Sequence, residues 1–202
     1  MRENIGLILL AAGNASRLGE SKQLLPYKSS TLLGHAAGQA VQSKASPVVV
    51  VLGARCDEHR YELRDLPVLI AYNPNWERGI GTSIVEGLLE LEKQHPSVKG
   101  VVLMVCDQPY ISSSIIDDLI KKAASSAKGI IASTYAGTIG TPALFKHSYF
   151  IKLKELKEDQ GAKVLLKAFK EDIEVLQFPE GAIDIDTKTD YINLKTPNQA
   201  KN

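Results

Sequence analysis

An apolar run, Ile5 to Leu10, leads directly into Ala11-Ala12-Gly13-Asn14-Ala15-Ser16-Arg17-Leu18-Gly19-Glu20-Ser21-Lys22. Two glycines, several small side chains and two cations behind an apolar run suit a polyphosphate. Gly13 and Gly19 let backbone N–H groups approach phosphate oxygens, Arg17 can fork onto them, and Lys22 adds a compact charge. The spacing is not that of a Walker A loop, which needs Lys and Ser or Thr directly after its second glycine, and it does not spell G-x-G-x-x-G. A plain glycine turn with solvated cations would carry the same glycines; both cations in one loop favour a triphosphate site.

Three further stretches could share that chemistry. Val101 to Val105 runs into Cys106-Asp107-Gln108-Pro109, placing a carboxylate at the tip of a strand, where Mg²⁺ could share it with phosphate oxygens and water. Asp before Gln-Pro is also a common turn residue. Asn73-Pro74-Asn75-Trp76-Glu77-Arg78-Gly79-Ile80-Gly81-Thr82-Ser83 ends at a helix start. Thr82 or Ser83 suits a cap there, and Gly79 and Gly81 leave space for a flat ring, so Gly81, Thr82 and Ser83 are expected beside a nucleobase. Trp76 fits either that site or a surface anchor. Ile183-Asp184-Ile185-Asp186 alternates as an extended strand end does, which puts Asp184 and Asp186 on one side, and Asp190 reads as part of a capping box. His35, His59, His95 and His147 have neither triad nor metal-ligand spacing and are expected to pack or face solvent.

The elements that must hold these residues read as alternating strand and helix. Strands are expected at 5–10, 48–52, 68–71, 101–105, 130–133 and 174–178. Helical periodicity marks 32–41, 84–91 and 115–123, with one or two charged surface helices within 152–170 and a short closing helix near 187–194. That alternation predicts an α/β fold with a mostly parallel sheet between helices, and sites at the carboxyl ends of the strands. At 202 residues with 44% hydrophobic content the chain suits one domain, 1–195, followed by a C-terminal tail at 196–202. Lys and Arg total 24 against 23 Asp and Glu, so there is no global field for nucleic acid or an acidic membrane. The opening residues lead into too short an apolar run for a signal peptide or membrane span, and Cys56 and Cys106 form no disulfide or zinc pattern; a cytoplasmic protein with reduced cysteines is expected.

Leu10-Ala11-Ala12-Gly13 with Ser16-Arg17, Gly19, Lys22 and Leu25-Pro26 resembles the opening signature of MobA-like NTP transferases, of the glycosyltransferase-A-like superfamily. Within them the chain is similar to molybdenum cofactor cytidylyltransferases, which have Leu-Ala-Ala-Gly where guanylyltransferases carry Leu-Ala-Gly-Gly, so Ala12 points to CTP. The Asn-Pro-x-Trp string, Asp107-Gln108-Pro109 and Asp184-Ile185-Asp186-Thr187 match in the family's order. The resemblance implies a three-layer α/β/α fold with a mostly parallel, mixed sheet of the Rossmann-like nucleotide-diphosphosugar transferase type. It implies that Leu10, Ala11, Ala12, Gly13, Arg17, Lys22, Gly81, Thr82, Ser83 and Asp107 bind nucleotide. Arg17, Lys22 and Asp107 would be catalytic, and Asp107 and Asp186 would hold Mg²⁺, with Asp184 a weaker candidate. Gln108, Gly140, Pro142 and Lys163 would face the acceptor. Lys163 stands where the family more often has Arg, and Glu158 replaces a glycine. Lys lacks the two-pronged grip of Arg, which leaves the acceptor open.

The reaction implied moves CMP from CTP to the terminal phosphate of molybdopterin with release of pyrophosphate, and a molybdenum hydroxylase apoenzyme could receive the product. The first loop would equally fit GTP or a sugar or alditol phosphate. A catalytically idle carrier of the molybdenum cofactor is the alternative from another class.

Overall fold

The computed structural model describes residues 4–14 and 21–195. β1 (Ile5–Leu10), β4 (Val48–Leu52), β5 (Leu69–Tyr72), β6 (Gly100–Val105), β7 (Ile130–Tyr135), β8 (Thr138–Lys146) and β9 (Ile173–Gln177) form one sheet in the order β5-β4-β1-β6-β8-β7-β9. A separate small hairpin pairs β2 (Pro26–Tyr27) with β3 (Ser30–Thr31). The helices are α1 (Leu32–Gln42), α2 (Cys56–Glu62), α3 (Ile80–Gln94), α4 (Ser113–Ser125), α5 (Phe150–Lys154), α6 (Lys163–Ala168) and α7 (Lys188–Lys195).

Alternation along the strands explains the layering. Leu7 and Leu9 of β1, Val50 of β4 and Val102 and Met104 of β6 pack with α1 and α4 on one face. Their neighbours Ile8, Val49, Val51, Val101 and Leu103 pack with α3, α5 and α6 on the other. A strand covered on both sides must be apolar at every position, and β1 and β4 are buried throughout. Thr31 and Ser112 cap α1 and α4 by accepting from the N–H groups of Gly34 and Ile115. α3 sits close on the sheet because Gly87 has no side chain. A Cβ there would fall 2.7 Å from methyl carbons of Ile8 and Val51.

The mixed, mostly parallel sheet and its two helical layers agree with the expected fold class. Three details differ. The stretch around Gly140 and Pro142, not among the expected strands, is β8, antiparallel to both β6 and β7. Gly140 and Pro142 interrupt its apolar periodicity, and the pairing with β7 shifts register at Ala132/Ser133. α2 carries no apolar stripe and buries only His59 among its residues. Of residues 183–187 only Ile185 is buried and Ile183 is 45% exposed, so the expected alternation is not kept, and the stretch belongs to no strand. One bond from Ile185 N–H to the Asp107 carbonyl, 2.9 Å, holds the stretch in place.

Leu88 is fully buried between α3 and the sheet. Leu88→Ala is expected to lower unfolding free energy by about 2–5 kcal/mol, read from urea denaturation; a loss within error of zero would contradict the packing described.

Candidate active site

The chain leaves β1 through α1 to β4 on one side, then returns through α3 to β6 on the other side of β1. The carboxyl ends of β1 and β6 therefore border a crevice at the switch point of the sheet. A cleft of about 320 Å³ opens there, walled by Leu10 to Gly13 after β1, Asp107 after β6, and Trp76, Gly79 and Ser83 before and within α3.

A single 3₁₀ turn, Lys22–Leu24, swings Lys22 across this cleft. Its Nζ donates to Asp107 Oδ2 at 3.0 Å and to Asp186 Oδ1 at 2.9 Å, and its side chain is only 15% exposed. Burial works against the charge. The Asp107 carboxylate and the hydrogen bonds to both aspartates outweigh it and raise the Lys22 pKa above its ordinary value.

Asp186 reaches that position because the stretch 185–194 is strapped over the β2–β3 hairpin. Ile185 packs against Leu25 and Leu32, with Tyr27, Tyr191 and Leu194 around them, and the Tyr191 hydroxyl donates to the Pro26 carbonyl at 2.7 Å. Asp190 accepts from Thr187 N–H at 2.7 Å while Asp190 N–H returns to the Thr187 hydroxyl, the capping box expected from sequence. With Asp190 and Thr187 capping the helix, the Asp186 carboxylate is left to face Lys22.

Among the described residues no group of three or more His, Cys, Asp or Glu side chains could hold a metal ion alone. Two carboxylates sharing one cation are instead the donor set of Mg²⁺ in a nucleotide site, where phosphate oxygens and water complete the octahedron. One lysine also cannot offset two carboxylates beside a polyphosphate, so the charge balance favours a divalent cation.

A second cavity, about 340 Å³, shares Leu10, Ile80, Val105 and Asp107 with the first and continues past Gln108, Thr141, Lys163 and Asp184. Asp107 thus borders both chambers. Burial, then the charges of Asp186 and Asp107, pushes the Asp184 carboxyl above its usual range.

Leu10, Ala11, Ala12, Gly13, Lys22, Ser83, Asp107 and Asp186 all meet at the first cleft. Gln108 and Lys163 line the second, and the Gln108 amide is engaged by Thr141, Tyr135 and the Gly181 carbonyl. Gly140 lies under the Tyr135 hydroxyl and the Pro142 carbonyl accepts from Ser133 at 2.7 Å, so both build the wall behind this chamber. Gly81 and Thr82 hold the loop rather than lining the cleft. Gly81 N–H donates to the Glu158 carbonyl at 2.9 Å, and Thr82 bonds to the Gly79 carbonyl and to Asn73. Neither Thr82 nor Ser83 caps α3: Gly79, at φ 130°, starts the helix earlier than the apolar spacing implies. Arg17, with Ser16 and Gly19, lies outside the described residues.

Sequence reasoning missed Ser21 and Gln23, which are buried on either side of Lys22, and Tyr135 and Thr141 in the second chamber; His59, expected to pack or face solvent, is buried with Ser21 and Gln23. Polar types at these positions read as surface residues; only burial separates them from solvent-facing ones. Trp76 lies half-buried on the cleft wall rather than standing out as an anchor.

Fold and site together define a nucleotidyltransferase. The family model for the MobA-like NTP transferase domain matches residues 7–173, and the chain belongs to that family. It is 28% identical to the purine catabolism protein PucB of Bacillus subtilis, over 80% of each chain. It is 26% identical to the molybdenum cofactor cytidylyltransferase of Escherichia coli, over 95% of each. Among solved structures it is similar to Rv0371c of Mycobacterium tuberculosis, with a TM-score of 0.82 and 29% identity over 96% of this chain and 98% of that one. The complex of Rv0371c with manganese matches with a TM-score of 0.78 and 27% identity, over 95% and 97%. No helix among the described residues is long and apolar enough to cross a membrane.

Cys106, on the cleft wall beside Asp107, has its thiol pushed up to about 12 by burial and then by the neighbouring carboxylate. Iodoacetamide at pH 8 is expected to leave Cys106 unmodified in the folded protein and to alkylate it after denaturation, read by peptide mass mapping; native labelling would refute its burial.

Proposed function

We propose that the chain transfers CMP from CTP to the terminal phosphate of a molybdopterin-type cofactor and releases pyrophosphate. The observation that carries this reading is Asp107: it borders both chambers and, with Asp186, shares the Lys22 ammonium. A triphosphate laid along the first loop would present its α-phosphorus at the wall where the second chamber begins.

An ionised phosphate oxygen of the acceptor attacks that phosphorus in line. The new P–O bond forms as the α–β bridging bond breaks, and pyrophosphate leaves with the electron pair. No proton has to be removed from such a nucleophile, so the site needs no base and no Ser/His pair. Positioning and charge neutralisation supply the acceleration. Lys22 donates to the phosphates, Trp76 and Ser83 border the nucleoside end, and Lys163 and Thr141 border the acceptor. Mg²⁺ held by Asp107 and Asp186 would offset the charge of the triphosphate and of the leaving pyrophosphate. The manganese complex of Rv0371c supports a divalent cation in this family. Ala12 and the likeness to the Escherichia coli cytidylyltransferase support CTP and the molybdenum cofactor as substrates.

Purified protein is mixed with Mg²⁺, molybdopterin and each of CTP, GTP, ATP and UTP, and pyrophosphate is measured. Release is expected to be fastest with CTP; faster turnover of GTP would remove the base assignment, and none with any nucleotide would favour an idle carrier. Asp107→Ala is expected to keep the far-ultraviolet spectrum and lower turnover by about 10³-fold or more. Near-normal turnover would remove Asp107 from the chemistry.

A further inference from the structure

Behind the first loop lies a polar network. Gln23, 3% exposed, donates its amide N–H groups to the carbonyls of Gly13 at 2.6 Å and Ala11 at 3.3 Å. Those two acceptors fix the amide's orientation, because a flipped amide would set oxygen against oxygen. The Gln23 Oε1 then faces the Ser21 hydroxyl at 3.1 Å, and Ser21 Oγ lies 2.8 Å from His59 Nε2.

The direction of every proton follows. An amide oxygen only accepts, so the Ser21 hydroxyl proton goes to Gln23. Having spent its one proton, Ser21 Oγ must accept from His59 Nε2–H. His59 is therefore the tautomer with a bare Nδ1, and that atom is buried with no hydrogen-bond partner among the described residues. A protonated ring would bury an unpaired N–H, and burial accordingly holds His59 below the ordinary histidine range. A buried polar atom without a partner costs stability, and a leucine on α2 would not incur that cost.

What the network secures is Lys22. Its two chain neighbours, Ser21 and Gln23, are both pinned, and the loop carbonyls that would repel a phosphate are bound to the Gln23 amide. We propose that His59 is a positioning residue for nucleotide binding, acting through Ser21 and Gln23 to set the Ala11 to Gly13 backbone and the Lys22 ammonium against the triphosphate. This rests on the nucleotide reading of the first cleft.

The test compares wild type, His59→Leu, His59→Gln and Ser21→Ala. Each is checked for fold by circular dichroism and urea midpoint, and titrated calorimetrically with CTP and with GTP in the presence of Mg²⁺. Glutamine carries an N–H the same number of bonds from Cα as His59 Nε2 and can still donate to Ser21. Expected results are a tenfold or greater loss of nucleotide affinity in His59→Leu and recovery to within about threefold in His59→Gln, as for one buried hydrogen bond lost and restored. In turnover, the KM for nucleotide rises while the KM for acceptor holds. If His59→Leu does not fold, Ser21→Ala, which cuts the same link from the loop side, is expected to show the same loss. A wild-type affinity retained in Ser21→Ala or in folded His59→Leu overturns the role of His59 alone. A wild type that binds neither nucleotide overturns the reading beneath it as well.

Discussion

One ammonium group held between two carboxylates organises this molecule. Lys22 comes from the first loop, Asp107 from the tip of β6, and Asp186 from a stretch 164 residues further along the chain than Lys22. Two acidic groups brought together in a half-buried place repel unless a cation lies between them. The fold therefore has to deliver all three, and its less regular parts are explained by that delivery. The strap of Ile185 and Tyr191 over the small hairpin contributes little to the main core, yet it is what carries Asp186 to Lys22.

The same arrangement accounts for the division of labour along the sheet. At the switch point one wall of the crevice is loop backbone, suited to phosphate, and the other is a strand tip bearing a carboxylate. The antiparallel strand β8 extends the sheet past β6 and, with Tyr135 and Thr141, builds a second chamber on the far side of Asp107. On the function proposed, nucleotide and acceptor would meet across that one carboxylate without either crossing the core. Chemistry of this kind needs position and charge more than reactive side chains.

Legibility in the sequence followed burial. Val48–Leu52 and Gly100–Val105 could be placed within a residue because strands covered on both faces admit only apolar side chains. β8 could not, since Gly140 and Pro142 break its pattern while cross-strand pairing with β6 and β7 holds it extended. Lys22, Asp107 and Asp186 were legible as motif residues, though their convergence depends on tertiary contacts that no local pattern encodes. Gly81 and Thr82 read as positions beside a nucleobase, but the Glu158 carbonyl and Asn73 occupy their polar groups. Gln23 was illegible for the opposite reason, since a polar residue reads as surface and only the fold buries it, and for His59 packing was one of two expectations while its bond to Ser21 had no local signal.

The claim on which all this turns is that a metal–triphosphate complex sits among Lys22, Asp107 and Asp186. A crystal structure of the protein with CTP and Mn²⁺, located by its anomalous signal, tests it most directly. The account predicts one Mn²⁺ coordinated by oxygens of Asp107, Asp186 and the triphosphate, with Lys22 Nζ moved onto a phosphate oxygen. Manganese and triphosphate bound away from these three side chains would contradict it.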